Sequence, residues 1–339
     1  VVYLWEGAGE QSFRAGEVSE HIEALRERGH EVSLATWSTH GMLQSVRTQG
    51  RVYPSRTLLI QELQDAPVVR VATGWETAAV AWEASRASGI PVYFVPDAHV
   101  LDGADMPRRA EILASYRKEF HFLAASFSAQ QALGQLGVRA SVVPPSVDDR
   151  VFSPSSHSER ESPIILAFVA HWSSRDVAAA VGLWRALDIQ PTVCLIGTDP
   201  AYSRRLGVQT LALPSDHEWS DLLRRAAVFV HTAPSDGSAR LVLQAMAVGC
   251  PVVCTWAEQR MDVCEDGKNC IVVPPDDQVV LSQVLERIFG DDALRERLRT
   301  GGSATARRFS RLNLAATWER FYAALAARYE SPVSVSAPA

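Results

Sequence analysis

The sequence predicts an α/β protein made of two Rossmann-like domains. Strand-length apolar runs alternate with segments of helical period along almost the whole chain, as parallel strands joined by helical crossovers require. The alternation breaks once, at about residues 145–162 within "PPSVDDRVFSPSSHSERESP", where Pro, Ser and charge crowd together as in a linker. A chain of 339 residues also exceeds what one hydrophobic core usually fills, since cores stop growing beyond about 250–300 residues.

In order, "VVYLW" reads as the first strand, "GEVSEHIEALRERG" as a helix and "EVSLATW" as a second strand. "VVRVAT", the helical "ETAAVAWEASRASG" and "PVYFV" repeat the unit, and "FLAAS", "SAQQALGQLG" and "RASVV" complete the first domain, residues 1–150. The second domain, residues 151–310, runs through "IILAFVA", a helix from about Arg175, "PTVCLIG", "VQTLAL", a helix near Trp219, "AVFVHT", the segment "SDGSARLVLQAMAVG", "PVVCT" and "CIVVP". From Asp277 onward the pattern is mostly helical. In "LNLAATWERFYAALAARYE" apolar residues recur every three or four positions, so residues 311–330 are expected to form a helix packing back across the domain junction. The small, polar residues 331–339 are expected to be a disordered tail.

Composition narrows the function. An apolar fraction of 47% and a charged fraction of 21% suit a folded soluble chain. No run approaches the roughly 18 apolar residues of a membrane span. A net charge of −6 argues against nucleic acid held by phosphate neutralisation, leaving a small molecule as the expected partner. The five cysteines, Cys194, Cys250, Cys254, Cys264 and Cys270, show no CxxC spacing. They read as reduced, buried thiols of a cytoplasmic protein, with neither a zinc site nor a disulfide framework indicated. The chain begins on an apolar run without Met, so an N-terminal piece is expected to precede it.

In open parallel sheets ligands bind beyond the carboxyl ends of the strands, so two such domains facing each other are expected to enclose a cleft. After the first strand, "EGAGEQ" puts Gly7 and Gly9 in a strand-to-helix turn. Ser12 stands where the third glycine of a dinucleotide fingerprint belongs, so this is either a tight turn or a loop facing an acceptor.

Several motifs, taken in order, resemble the retaining glycosyltransferases of the GT-B fold, within the family 4 group. "ASFSAQQALGQLGVRASVVPPSVDDRVFSP" is similar to its interdomain signature, "DGSARLVLQAMAVGCPVV" to EGFGLVxLEAMAxGxPVV, and "VCEDGKNCIVVPPDD" to VxxGxxGxLVxPxD. "PVYFVPDAHVLDGADMPRRAEILASYRKEF" and "AFVAHWSSRD" look closest to the branch that transfers rhamnose and related deoxysugars.

The resemblance implies that the N-terminal domain takes a hydroxyl-bearing acceptor and the C-terminal domain a nucleoside diphosphate sugar. It implies no cofactor and no essential metal. At the head of the "LVLQAMA" helix, Gly237, Ser238, Ala239, Arg240 and Leu241 are placed to offer backbone N–H groups and a positive dipole end to the diphosphate, Ser238 also reading as a plain helix cap. Arg175 follows the first strand of the second domain and is either a diphosphate ligand, stabilising the leaving group, or a solvated arginine. His99 matches a region where the family often has a histidine facing the donor sugar, and Asp97 and Asp102 beside it are candidates to bind or deprotonate the acceptor.

In the family's ExxxxxxxE motif the first glutamate contacts the sugar and the second the ribose hydroxyls. Asp236 and Gln244 occupy those places here. Asp236 keeps a carboxylate, shortened by one methylene; Gln244 gives up the charge, retains an acceptor and adds a donor. A thymidine diphosphate donor, lacking the ribose 2′-hydroxyl, would ask less of position 244. Two other readings stand beside transfer: a noncatalytic sugar-nucleotide-binding relative acting as a partner protein, and a sugar-nucleotide epimerase.

Overall fold

A computed structural model describes residues 1–6, 12–37, 50–96, 104–154, 164–168, 174–187, 191–196, 204–211, 215–231 and 239–330. The chain divides into two units, Val1–Pro144 together with the segment from Arg311 onward, and Pro145–Ser310. The change of unit falls just ahead of the expected 150/151 boundary because the start of the presumed linker is strapped to the second unit. Val147 N–H donates to Phe309 O at 3.0 Å, and the Val151 carbonyl accepts from Ser220 Oγ at 2.7 Å and Arg224 Nη2 at 2.8 Å.

The first unit carries a seven-stranded sheet in the order β3-β2-β1-β4-β5-β6-β7. Its strands are β1 (Val2–Trp5), β2 (Ser33–Thr36), β3 (Gly50–Val52), β4 (Val69–Ala72), β5 (Ile90–Val95), β6 (His121–Ala124) and β7 (Ala140–Val142), paired in parallel throughout. Its helices are α1 (Ser12–Glu27), α2 (Arg56–Leu63), α3 (Trp75–Ala84), α4 (Met106–Ser115), α5 (Phe127–Gln135) and, from the far end of the chain, α12 (Arg311–Glu330). β1 and β5 are buried at every position, as strands covered on both faces must be, which is why they read as unbroken apolar runs.

Helix α12 joins this unit through α1. The Arg311 guanidinium reaches Glu23 at 2.8 Å and Glu27 at 2.6 Å; Trp318 packs on the His21 ring with centroids 3.9 Å apart; and the Tyr322 and Tyr3 hydroxyls meet at 3.1 Å. His21 is fully enclosed by these rings and Phe94, and burial alone pushes its pKa down to about 3, so it stays neutral. At the amino end of β4, buried Arg70 donates to the carbonyls of Leu63, Ala66 (2.6 Å) and Ser88 (2.7 Å), tying the end of α2 to the turn before β5. Gly89, at φ +89°, lies against this guanidinium, and a Cβ there would collide with Arg70 Nη1.

The second unit holds a six-stranded parallel sheet in the order β10-β9-β8-β11-β12-β13. The strands are β8 (Ile164–Phe168), β9 (Thr192–Ile196), β10 (Gln209–Leu211), β11 (Val228–His231), β12 (Val252–Thr255) and β13 (Ile271–Val273). The helices are α6 (Ser174–Arg185), α7 (Asp216–Arg225), α8 (Arg240–Ala247), the short α9 (Glu258–Met261), α10 (Gln278–Gly290) and α11 (Asp292–Arg308). Val228, Val230, Val253 and Val273 share one apolar cluster with α6, α10 and α11. The strand order in each unit is that of a Rossmann sheet, reversing direction at the junction of its first and fourth strands. Among the described residues no helix is long and apolar enough to cross a membrane.

Candidate functional site

In the second unit the strand order reverses between β8 and β11, and a ligand of such a sheet sits beyond the carboxyl ends of the strands flanking that point. The chain leaves β8 towards α6 and leaves β11 towards α8. Topology thus brings to one sheet edge the ends of β8 and β11, the strands that precede α6, with Arg175 its second residue, and α8, which begins at Arg240.

Helix α8 is an apolar stretch of eight residues, with Leu241, Val242, Ala245 and Met246 buried. It ends where Gly249 takes φ +73° and its N–H turns back to Met246 O at 3.1 Å, while Cys250 N–H reaches Ala245 O at 2.9 Å, a glycine-terminated cap. At the other end the N-cap residue is Ala239, which supplies no side-chain hydrogen bond. A helix head without a side-chain cap suits an anionic ligand, whose oxygens can take the first N–H groups.

Two side chains of α8 are fixed by α7. Arg240, the first residue of α8, is 7% exposed at its side chain and its Nη2 lies 3.3 Å from Asp216 Oδ2, at the first position of α7. The head of α7 is itself set by a capping box: Glu218 Oε2 accepts from Ser215 N–H at 2.9 Å, and the Ser215 hydroxyl accepts from Glu218 N–H at 3.4 Å. One turn further along α8, Gln244 is wholly buried and its Oε1 accepts from the Trp219 indole N–H at 2.9 Å. An indole N–H only donates, so the amide orientation follows from the chemistry, and Nε2 faces away from Trp219. That Nε2 is buried and has no hydrogen-bond partner among the described residues.

Trp219 thus takes one lone pair of Oε1, and the group of Gln244 that faces away from it is an N–H donor. His231 closes β11 at the same edge, fully buried, with Nδ1 3.2 Å from Arg260 Nη1; Arg260 also donates to Thr255 O and Oγ1. Sequence reasoning passed over both residues, since a single histidine ending an apolar strand and an arginine of a four-residue helix carry no motif.

Of the other expected site residues, Ala239 and Leu241 are buried at the head of α8, and Arg175 is the second residue of α6, where only the backbone is described. Asp236, Gly237, Ser238, His99, Asp97, Asp102, Gly7 and Gly9 lie outside the described residues. In the first unit a cavity of about 730 Å³ is lined by residues including Tyr116, Lys118, Phe120, Arg139, Phe321 and Leu325. It also borders His121 and Ala140, the first residues of β6 and β7, and so lies at the amino edge of that sheet, away from the edge where such sheets bind ligands.

Residues 177–304, from α6 to α11, match the family model described as glycosyl transferases group 1. Over 148 residues the chain is 24% identical to an exopolysaccharide phosphotransferase of Streptomyces coelicolor, a stretch that is 41% of this chain and 16% of that relative. The crystal structure of Anabaena HepE in complex with UDP-glucose superposes with a TM-score of 0.80 at 15% identity, covering 95% of this chain and 99% of that one. Sucrose-phosphate synthase from Thermosynechococcus elongatus gives a TM-score of 0.74 at 18% identity, covering 96% and 99%. The chain accordingly has the GT-B fold, and residues 177–304 of its C-terminal unit are similar to the glycosyl transferases group 1 family.

Proposed function

We propose that the protein is a retaining glycosyltransferase which moves a sugar from a nucleoside diphosphate donor, held by the C-terminal unit, to an acceptor hydroxyl held by the N-terminal unit. The observation that carries this reading is the head of α8, whose N-cap residue Ala239 supplies no side-chain hydrogen bond and whose first position bears a buried arginine, inside the segment matching the group 1 family model. The HepE structure in complex with UDP-glucose supports a nucleotide sugar as the ligand class.

In this reading the N–H groups and positive end of α8 receive the diphosphate, and Arg240, held by Asp216, adds a fixed cation where negative charge builds on the leaving group. Arg175 on the neighbouring crossover contributes in the same way. Asp236 accepts hydrogen bonds from the donor sugar, His99 orients the reacting hydroxyl, and Asp97 and Asp102 bind the acceptor. Since the diphosphate helps to deprotonate the acceptor on the same face of the sugar, catalysis rests on positioning and charge stabilisation rather than on one general base.

The donor reading goes one step further. A carboxylate at position 244 would accept from both ribose hydroxyls, whereas Gln244, with its Oε1 turned to Trp219, presents N–H on the other side. That favours a donor making fewer demands on the ribose, a thymidine diphosphate deoxysugar.

Mixing the chain with UDP-, GDP- and dTDP-sugars, with and without candidate hydroxyl acceptors, and following nucleoside diphosphate release tests the proposal. Acceptor-dependent release, with the anomeric configuration of the product conserved, is the expected result. Binding without release under all conditions would identify a noncatalytic nucleotide-binding protein, and a changed sugar without an acceptor an epimerase; either outcome overturns transfer.

A further inference from the structure

Three of the five cysteines, far apart in sequence and without metal-binding spacing, converge in the second unit. Cys254 is the third residue of β12, Cys264 follows α9, and Cys270 immediately precedes β13; their sulfurs all lie within 4.8 Å of one another, and Cys254 Sγ to Cys264 Sγ is 3.8 Å. All three are buried and none is in a disulfide.

We propose that Cys254, Cys264 and Cys270 form a trithiolate site for one thiophilic metal ion, of which Zn²⁺ is the representative. A tetrahedral zinc with sulfurs at about 2.3 Å holds them about 3.8 Å apart, the separation already present between Cys254 and Cys264. Three thiols meeting at one point exceed what a single disulfide uses, and a soft, all-sulfur donor set selects zinc or monovalent copper over harder cations.

The surroundings prearrange the set. Asn269 is buried and donates from Nδ2 to Val263 O at 2.8 Å and Thr305 Oγ1 at 2.9 Å, while its Oδ1 accepts from Glu265 N–H at 2.7 Å, so the turn between Cys264 and Cys270 is held from inside. Gly301 of α11 permits close approach to that turn, since a Cβ there would strike the Lys268 carbonyl. On β12, Cys254 pairs in register with His231, and the buried Arg260 guanidinium contacts both His231 and Thr255, the residue following Cys254.

Charge also balances. On binding, the three thiols release their protons to solvent and the ion sheds water, giving three sulfur–metal bonds and a net charge of −1 for a divalent ion. The Arg260 cation beside the cluster offsets that charge in a region where an uncompensated ion would be costly. The fourth coordination position is left to a water. Such an ion would tie the end of β12, the segment after α9 and the start of β13 into one clamp.

The full-length chain, purified under reducing conditions without chelator, is assayed for zinc by elemental analysis and titrated anaerobically with Co²⁺. The expected result is one metal ion per chain and intense thiolate-to-cobalt charge-transfer bands. Cys264→Ser and Cys270→Ser should each abolish the bands, whereas Cys250→Ser should leave them unchanged, because the Cys250 thiol instead faces the Ala226 carbonyl at 3.7 Å. Because the wild-type titration needs no variant to fold, it decides the question alone. Three reduced thiols with no stoichiometric zinc and no charge-transfer bands would overturn the proposal, as would a disulfide between any two of them in the isolated chain.

Discussion

The Trp219 indole donates to Gln244 Oε1 at 2.9 Å, across from α7 to α8, and so fixes which end of the buried amide faces any ligand. Replacing Trp219 with Phe leaves a buried carbonyl without its donor and should destabilise the protein by about 1–3 kcal/mol. It should also weaken nucleotide binding, as Gln244 loses its fixed orientation. Chemical denaturation together with nucleotide titration checks both effects; a variant with unchanged affinity would leave Gln244 a structural residue only.

The same bond makes a prediction about donor choice. In Gln244→Glu one carboxylate oxygen keeps the Trp219 hydrogen bond and the other replaces Nε2, turning the ligand-facing group from donor to acceptor. The ratio of UDP to dTDP affinity should therefore rise relative to wild type. Competition binding of the two nucleotides measures it, and an unchanged ratio would place the ribose away from residue 244.

In the N-terminal unit His21 is neutral and enclosed by Tyr3, Phe94 and Trp318, with its pKa lowered to about 3 by burial. Since the unfolded histidine titrates near 6.5, the unfolded state binds the extra proton between these values. The stabilisation from keeping His21 neutral is then complete above about pH 6.5 and falls as pH drops towards 3, with a slope approaching about 1.4 kcal/mol per pH unit. Urea unfolding between pH 7.5 and pH 5, buffer conditions chosen on that basis, should show a shallower pH dependence for His21→Leu than for wild type. Parallel slopes would contradict this account of the core.

Gly89 combines a positive φ of +89° with contact to the Arg70 guanidinium. Gly89→Ala must strain the backbone and displace a cation that holds four carbonyls, those of Leu63, Ala66, Val68 and Ser88, and should cost about 2–4 kcal/mol of stability. Gly29 has φ +86° with no atom near its missing Cβ, so Gly29→Ala should cost about 1 kcal/mol through backbone strain alone. Thermal melts of the two variants give the comparison, and equal shifts would show that the Arg70 contact contributes nothing.

Much of the fold was legible because parallel sheets advertise themselves: β1 and β5 are buried at every position and apolar throughout, and β11 and β12 are apolar up to the buried His231 and Thr255 at their ends. Parallel pairing through helical crossovers followed from the same repetition. The α8 segment was found through the resemblance of "DGSARLVLQAMAVGCPVV" to the motif EGFGLVxLEAMAxGxPVV.

Partnership across the chain was not legible. Asp216 and Arg240, Trp219 and Gln244, and His231 and Arg260 are joined only once the sheet folds, and no local spacing announces them. The cysteines show this most plainly: Cys254, Cys264 and Cys270 are 10 and 6 residues apart along the chain, too far for a CxxC pattern, yet strands β12 and β13 and the turn held by Asn269 bring them together. The start of the presumed linker misled for the opposite reason. Its polar residues suggested free chain, while the Val147 and Val151 backbone is bonded to the second unit.

At the core of the proposed activity, a nucleoside diphosphate binds at the head of α8 beside Arg240. Calorimetric titration of wild type and Arg240→Ala with UDP and dTDP, with circular dichroism confirming that the variant is folded, tests it most directly. Saturable binding to wild type and at least about tenfold weaker binding to the variant, a loss of about 1.4 kcal/mol, are the expected results. Equal affinity in the two folded proteins, or no binding of either nucleotide to wild type, would contradict it.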